Sequence, residues 1–258
     1  MTDGMRLEAV LKRDRLIVLS GLAGVSALAW LYLVYLSRGM PDTVMGMEST
    51  MPQRQAWAGR DLVLMFAMWA IMMVAMMVPS AAPAILLFAA INRQRREWQG
   101  AFGPTAVFLL GYLALWMGFS VVATLAQWGL HAASLTTGMV SAGPILGAVL
   151  LIIAGIFQWT PLKRACLAHC RSPQGFFMTE WREGTVGALR MGFKHGVYCI
   201  GCCWLLMSLL LVAGAMNLLW VAAIAAFVLV EKAAPAGQWV SRIVGLVLVG
   251  WGIWMAFA

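Results

Sequence analysis

Residues Leu62–Phe88 read LVLMFAMWAIMMVAMMVPSAAPAILLF, a run of 27 residues without a single charge. A helix rises 1.5 Å per residue, so about 20 apolar residues cross the hydrocarbon core of a bilayer. This run therefore predicts a transmembrane helix. Pro79 and Pro83 lie inside it, and each removes a backbone donor, so we expect a kink or a break there.

The rest of the chain has the same character. Of its 258 residues, 62% are hydrophobic and only 11% are charged, whereas soluble domains carry about 25% charged residues. The net charge of +8 is spread over short segments between apolar runs. No basic patch interleaved with aromatic residues stands alone, which argues against a nucleic-acid partner. The composition predicts an all-α, polytopic transmembrane helix bundle.

Seven apolar runs are separated by short polar segments, and we treat residues 1–258 as a single integral membrane domain. The predicted spans are 16–36, 62–88, 105–128, 144–159, 193–214, 218–230 and 240–258. The fourth and sixth are short, and the sixth would fit a re-entrant half-span, so six is the rival count. The first run is too long for the apolar core of a signal peptide and is expected to stay in place as an anchor.

The placement of lysine and arginine predicts the orientation. With the N-terminus in the cytoplasm, 15 of the 18 basic residues fall in inner segments, and only Arg38, Arg54 and Arg60 fall outside. An excess of positive charge on the cytoplasmic side is typical of membrane proteins. We therefore predict a multi-pass protein of the bacterial inner membrane, embedded in the lipid bilayer, with an external C-terminus.

All five cysteines lie within 38 positions, next to two of the three histidines. The predicted ligands of this group are Cys166, His169, Cys170, His195, Cys199, Cys202 and Cys203. Residues four apart share a helix face, which aligns His195, Cys199 and Cys203. Soft thiolates beside an imidazole suit Cu(I), zinc or iron, and a reducing cytoplasm disfavours disulfides. The alternative is that these cysteines are small apolar core residues.

Methionines form two further groups. One follows a single face of the second span and comprises Met65, Met68, Met72 and Met76. The other lies in the predicted outer loop and comprises Met40, Met45, Met47 and Met51. Thioethers are neutral, soft ligands that favour Cu(I) over hard ions. Adaptable packing in the span, and contact of the loop with the membrane surface, are the alternatives. The order of these groups, with methionines outside the membrane and across it and thiols on the cytoplasmic side, favours copper.

Two other segments carry structural expectations. The aromatic residues Phe176, Phe177 and Trp181 beside Arg182 predict a segment lying on the membrane surface. Glu231 and Lys232 close the sixth span and are expected to pair with each other or with nearby groups, or to extend to the interface.

Three motifs with specific spacing carry a family resemblance. They are Ala75-Met76-Met77-x-Pro79, Thr160-Pro161-Leu162-Lys163-x-x-Cys166-Leu167-x-x-Cys170, and Cys199-x-Gly201-Cys202-Cys203-Trp204. On these motifs the chain resembles an uncharacterised bacterial family of predicted metal-binding integral membrane proteins. The resemblance implies a metal but neither its identity nor what is done with it.

The functional hypothesis is a protein that binds copper as Cu(I) and acts in copper transfer or uptake. The sequence has no phosphate-cradling Gly-Lys-Ser/Thr loop, no His-Glu-x-x-His zinc motif and no Cys-x-x-Cys-His haem motif. An enzyme is therefore not the first interpretation. A membrane redox or metal-centre assembly protein, and an accessory structural subunit of a larger membrane complex, stay open, with a membrane-protein partner or a second copy of the chain.

Overall fold

The computed structural model describes residues 2–39, 59–95, 102–133, 144–214 and 217–257, and within these ranges it contains helices and turns but no strand. The helices are α1 (Thr2–Gly39), α2 (Gly59–Arg95), α3 (Phe102–Ala132), α4 (Pro144–Phe157), α5 (Pro161–Arg171), α6 (Pro173–Glu180), α7 (Gly184–Ser208), α8 (Leu210–Ala213), α9 (Leu218–Ala233) and α10 (Gly237–Phe257). The all-α prediction is confirmed. The loop methionines Met40, Met45, Met47 and Met51 lie outside the described residues.

Each predicted span coincides with a helix, but the count of seven is not confirmed. In the described part of the chain, five helices are long and apolar enough to cross a membrane, and a sixth span results if α4 and α5, which bend by 65° at their junction, are counted as one. Helix α9 has only 16 residues, which is short for a bilayer. The direction in which the chain crosses the membrane stays a prediction.

Helix α2 forms the centre of the bundle and packs against α1, α3 and α9. It continues through Pro79 and Pro83, so the predicted break is wrong. The hydroxyl of Ser80, next to Pro79, bonds back to the carbonyl of Met77 at 2.9 Å.

The contact between α3 and α7 depends on glycine. A Cβ atom on Gly192 would overlap the carbonyl oxygen of Phe108, and one on Gly111 would overlap that of Leu189. Small residues let helix backbones approach closely in a bilayer. Gly192 and Gly111 therefore allow α7 to lie directly against α3.

The aromatic residues of the short helix α6 face the interior rather than the lipid. Phe176 and Phe177 are buried, and Phe177 packs against Phe88 and Phe108 with ring centroids 5.8 Å away in each case. These two rings are therefore part of the core, and the position of the segment at the membrane surface stays a prediction. The rings close one end of the bundle, over the buried His195.

Candidate metal centre

Cysteines from two separate helices meet inside the bundle. Helix α5 packs along α7, and this brings Cys170 close enough to Cys199 and Cys202 for their side chains to interact electrostatically. Cys203 lies on α7 itself, one residue after Cys202 and four after Cys199. Cys199, Cys202 and Cys203 are fully buried, and Cys170 is half-buried. We call these four residues the thiol cluster.

The local sequence explains how α5 reaches α7. Thr160 caps α5 by accepting a hydrogen bond from the Lys163 amide, and Pro161 occupies the first helical position, where a missing N–H costs nothing. Gly201 then leaves room on α7, because a Cβ there would lie 2.7 Å from the sulfur of Cys166. Cys166 thus lies beside the thiol cluster.

A lysine and a tyrosine from two other helices contact Cys199, and a serine from a third helix contacts the lysine. The Lys232 ammonium lies 3.0 Å from its sulfur and 3.1 Å from the Ser80 hydroxyl. The Tyr112 hydroxyl lies 3.2 Å from the same sulfur and also donates to the Met77 carbonyl at 3.1 Å. A lysine ammonium beside a buried sulfur stabilises negative charge on that sulfur.

Lys232 therefore turns into the bundle. Its neighbour Glu231 pairs with Lys163 at 2.7 Å, and among the described residues no carboxylate lies within ion-pair distance of Lys232. Both residues therefore pair with nearby groups, which is one of the alternatives predicted for them. The partner of Lys232 is a thiol, which the sequence did not predict.

The two candidate histidines differ in position. His195 is buried between the rings of Phe108, Tyr112 and Phe176, and its Nδ1 has no hydrogen-bond partner among the described residues. His169 stacks on Tyr198 with ring centroids 4.0 Å apart and bonds the Ala165 carbonyl through Nδ1. Only His195 has a ring that lies in the interior with an unengaged nitrogen.

The methionines of the second span face the bundle, not the lipid. Met65, Met68, Met72 and Met76 are between 0% and 5% exposed, and they extend over roughly 16 Å of helix. At the Met76 end, the Met77 carbonyl is joined through Tyr112 to Cys199. The row of thioethers therefore ends beside the thiol cluster.

The thiols are close together but are not in a metal-binding arrangement. Among the residues described, no group of three or more Cys, His, Asp or Glu side chains is placed to hold a metal ion. Two of the sulfurs, those of Cys202 and Cys203, instead point to the carbonyl of Cys199 at 3.1 and 3.0 Å. Rotating these thiols away from the carbonyl would free them. Sulfur donors are the correct chemistry for Cu(I).

Two members of the site were missed by the sequence analysis, Tyr112 and Ser80. The signal for Tyr112 was a phenol in the middle of an apolar span, because a buried tyrosine hydroxyl needs a hydrogen-bond partner. Ser80, which follows Pro79 in an apolar run, offered the same kind of signal.

Comparison with known proteins places these residues in one family. The model of a family described as PpoB2, copper chaperone, matches residues 66–255. The match includes the thiol cluster, Lys232, Tyr112 and all of the α2 methionines except Met65. No curated protein and no solved structure matches the chain.

Proposed function

The chain belongs to the PpoB2 copper chaperone family, and on that premise we propose that it is a membrane-embedded chaperone that takes up Cu(I) on buried sulfur ligands and transfers it to a recipient protein. The observation that carries the proposal is the meeting of Cys170 with Cys199 and Cys202 beside the ammonium of Lys232. We further propose that the protein takes up and transfers copper in a bacterial inner membrane.

Charge balance supports Cu(I) as the cargo. A monovalent ion held by two thiolates carries one negative charge, and Lys232 supplies one positive charge at 3.0 Å from Cys199. Burying an unbalanced charge is costly. A divalent zinc ion on the same two thiolates would be neutral and would leave the Lys232 charge uncompensated. The buried lysine thus favours the monovalent ion.

Each residue of the cluster has a distinct part in the proposal. Cys199 and Cys202 hold the ion, and both lose their protons on binding because the thiolate is the ligand. Cys170, which is half-buried on a short helix, stays a neutral thiol beside the ion, on the side from which a recipient thiol displaces one of the two thiolates. Cys166, Cys203, His169 and His195 are reserve ligands beside this centre.

The buried thioethers of α2 supply the route of entry. Neutral ligands spaced along a helix can pass a soft ion without holding it tightly at any one point. In this proposal the loop methionines Met40, Met45, Met47 and Met51 capture the ion at the opposite side of the membrane, and Met65, Met68, Met72 and Met76 carry it to the thiols.

Replacing Met65, Met68, Met72 and Met76 together by leucine tests the proposal. Leucine conserves volume in the core but offers no sulfur. Purified protein in liposomes, given Cu(I) from outside under anaerobic conditions, is expected to retain about one ion per chain. The variant should load at least about tenfold more slowly but reach the same final amount, because the thiols are intact.

The control replaces the exposed Met178, which is 86% exposed, by leucine and should load at the normal rate. If the unaltered protein retains no Cu(I), the chaperone proposal is wrong. If the quadruple variant loads at the normal rate, the route through α2 is wrong, although the thiol site would stand.

A further inference from the structure

A cavity of about 230 Å³ lies where α4 ends and α10 begins, and no residue of the thiol cluster lines it. Its polar lining comes from α5, α10 and the turn that joins α4 to α5, and consists of Gln158, Lys163, Arg164, Gln238, Ser241 and Arg242. Neither the family description nor the copper proposal gives this cavity a role.

The cavity has an excess of positive charge. Lys163 is balanced by Glu231 at 2.7 Å. Arg164 and Arg242 have no carboxylate within ion-pair distance in the described part of the chain. The Arg242 guanidinium lies over the ring of Trp239 at 5.1 Å, an arrangement that holds its charge without cancelling it. Two uncompensated guanidinium groups therefore line one small space.

A buried amide adds an unused donor. Gln158 is 2% exposed, and its Oε1 accepts hydrogen bonds from the Lys163 ammonium and, at 3.0 Å, from the Ser241 hydroxyl. With its oxygen occupied, the amide has Nε2 left as a donor, and this nitrogen has no hydrogen-bond partner among the described residues. An unsatisfied buried donor is destabilising, so a hydrogen-bond acceptor bound in the cavity would stabilise the Gln158 amide.

We propose that this cavity binds a phosphate group. Guanidinium groups bind phosphate through paired hydrogen bonds, and Arg164 and Arg242 both line this cavity, with Gln158 in its wall. Phosphate is present in free form and in phospholipid headgroups. Exposed Trp159 and Trp239 beside the cavity are of the residue type enriched at the membrane interface. Basic pockets between membrane helices bind lipid headgroups.

The test measures binding to the purified, copper-free full chain in a mild non-ionic detergent by its thermal stability. The probes are inorganic phosphate, phosphatidylglycerol, and diacylglycerol as the phosphate-free lipid. We expect phosphatidylglycerol to raise the melting temperature in a saturable way. Changing Arg164 and Arg242 together to glutamine should weaken its apparent affinity roughly thirtyfold, whereas changing both to lysine should retain most of it.

The matched control changes Arg13 and Arg15, two exposed arginines of α1, to glutamine and should leave the affinity unchanged. If only phosphatidylglycerol binds saturably, the cavity is a lipid-headgroup site. If inorganic phosphate also binds, and the Arg164 and Arg242 change to glutamine weakens its affinity equally, the cavity is a free-anion site. Either result supports the proposal. It is overturned if diacylglycerol stabilises as much as phosphatidylglycerol, or if the Arg13 and Arg15 variant weakens binding as much as the cavity variant.

Discussion

Replacing Cys199 and Cys202 together by serine is expected to lower Cu(I) affinity by more than about a hundredfold. Removing a residue that only supports a metal ligand costs up to about a hundredfold in affinity, and removing the ligands themselves should cost more. Cys199 and Cys202 are the two thiolates proposed to hold the ion, so the change removes both. Serine offers a hard oxygen in place of a soft sulfur. The measurement is an anaerobic titration of the purified protein against a Cu(I) chelator of known affinity.

Two controls separate loss of the ligands from loss of the fold. The metal-free variant should melt within a few degrees of the unaltered protein, because a serine hydroxyl at position 202 can keep the bond that the Cys202 thiol makes to the Cys199 carbonyl. The single variant Cys166→Ser changes a neighbouring sulfur outside the thiol cluster and should cost far less affinity. Retained Cu(I) binding in the double variant would show that the thiol cluster is not the copper site.

Replacing Lys232 by methionine is expected to weaken Cu(I) binding by about ten- to a hundredfold, as for other groups that support a metal ligand without binding the metal. The lysine supplies the positive charge opposite the two thiolates, and methionine keeps the length of the side chain without the charge. The metal-free variant should be as stable as the parent or more so, because a buried ammonium is costly. The same chelator titration and a thermal melt give the two values.

The conservative variant Lys232→Arg keeps the charge and should recover part of the affinity. Lys194→Met serves as the control, since Lys194 pairs with Glu180 at 2.6 Å rather than with a thiol. If Lys232→Met binds Cu(I) as tightly as the parent, the charge-balance argument for a monovalent ion is wrong. If it lowers the stability of the metal-free protein, Lys232 has a structural role instead.

How far the sequence predicts this molecule depends on the distance over which residues interact. The apolar run from Leu62 to Phe88 is local, and it predicted a helix at the correct place. The span count was harder, because a run of suitable hydropathy does not show where a helix bends. At the end of α4 the signal was present: Thr160 followed by Pro161 is the start signature of a new helix, and the chain bends there by 65°.

The candidate site was predicted as a set of residue types but not as a geometry. Helical spacing aligned Cys199 with Cys203, a local inference. That Cys170 would lie against them depends on how α5 packs along α7, which no local pattern specifies. The partner of Lys232 could not be predicted for the same reason, because the rotation of α9 about its axis decides whether this lysine faces lipid, Glu231 or Cys199. Buried polar residues in apolar spans are where such non-local pairing is to be expected.

The most direct measurement of the central claim is the copper X-ray absorption spectrum of the purified protein, loaded with Cu(I) under anaerobic conditions. The account predicts an edge typical of Cu(I) and a first shell of sulfur alone, with about two or three sulfurs per ion. That shell should be lost in the Cys199 and Cys202 double variant. A first shell of nitrogen and oxygen, or a sulfur shell unchanged in the double variant, would contradict it.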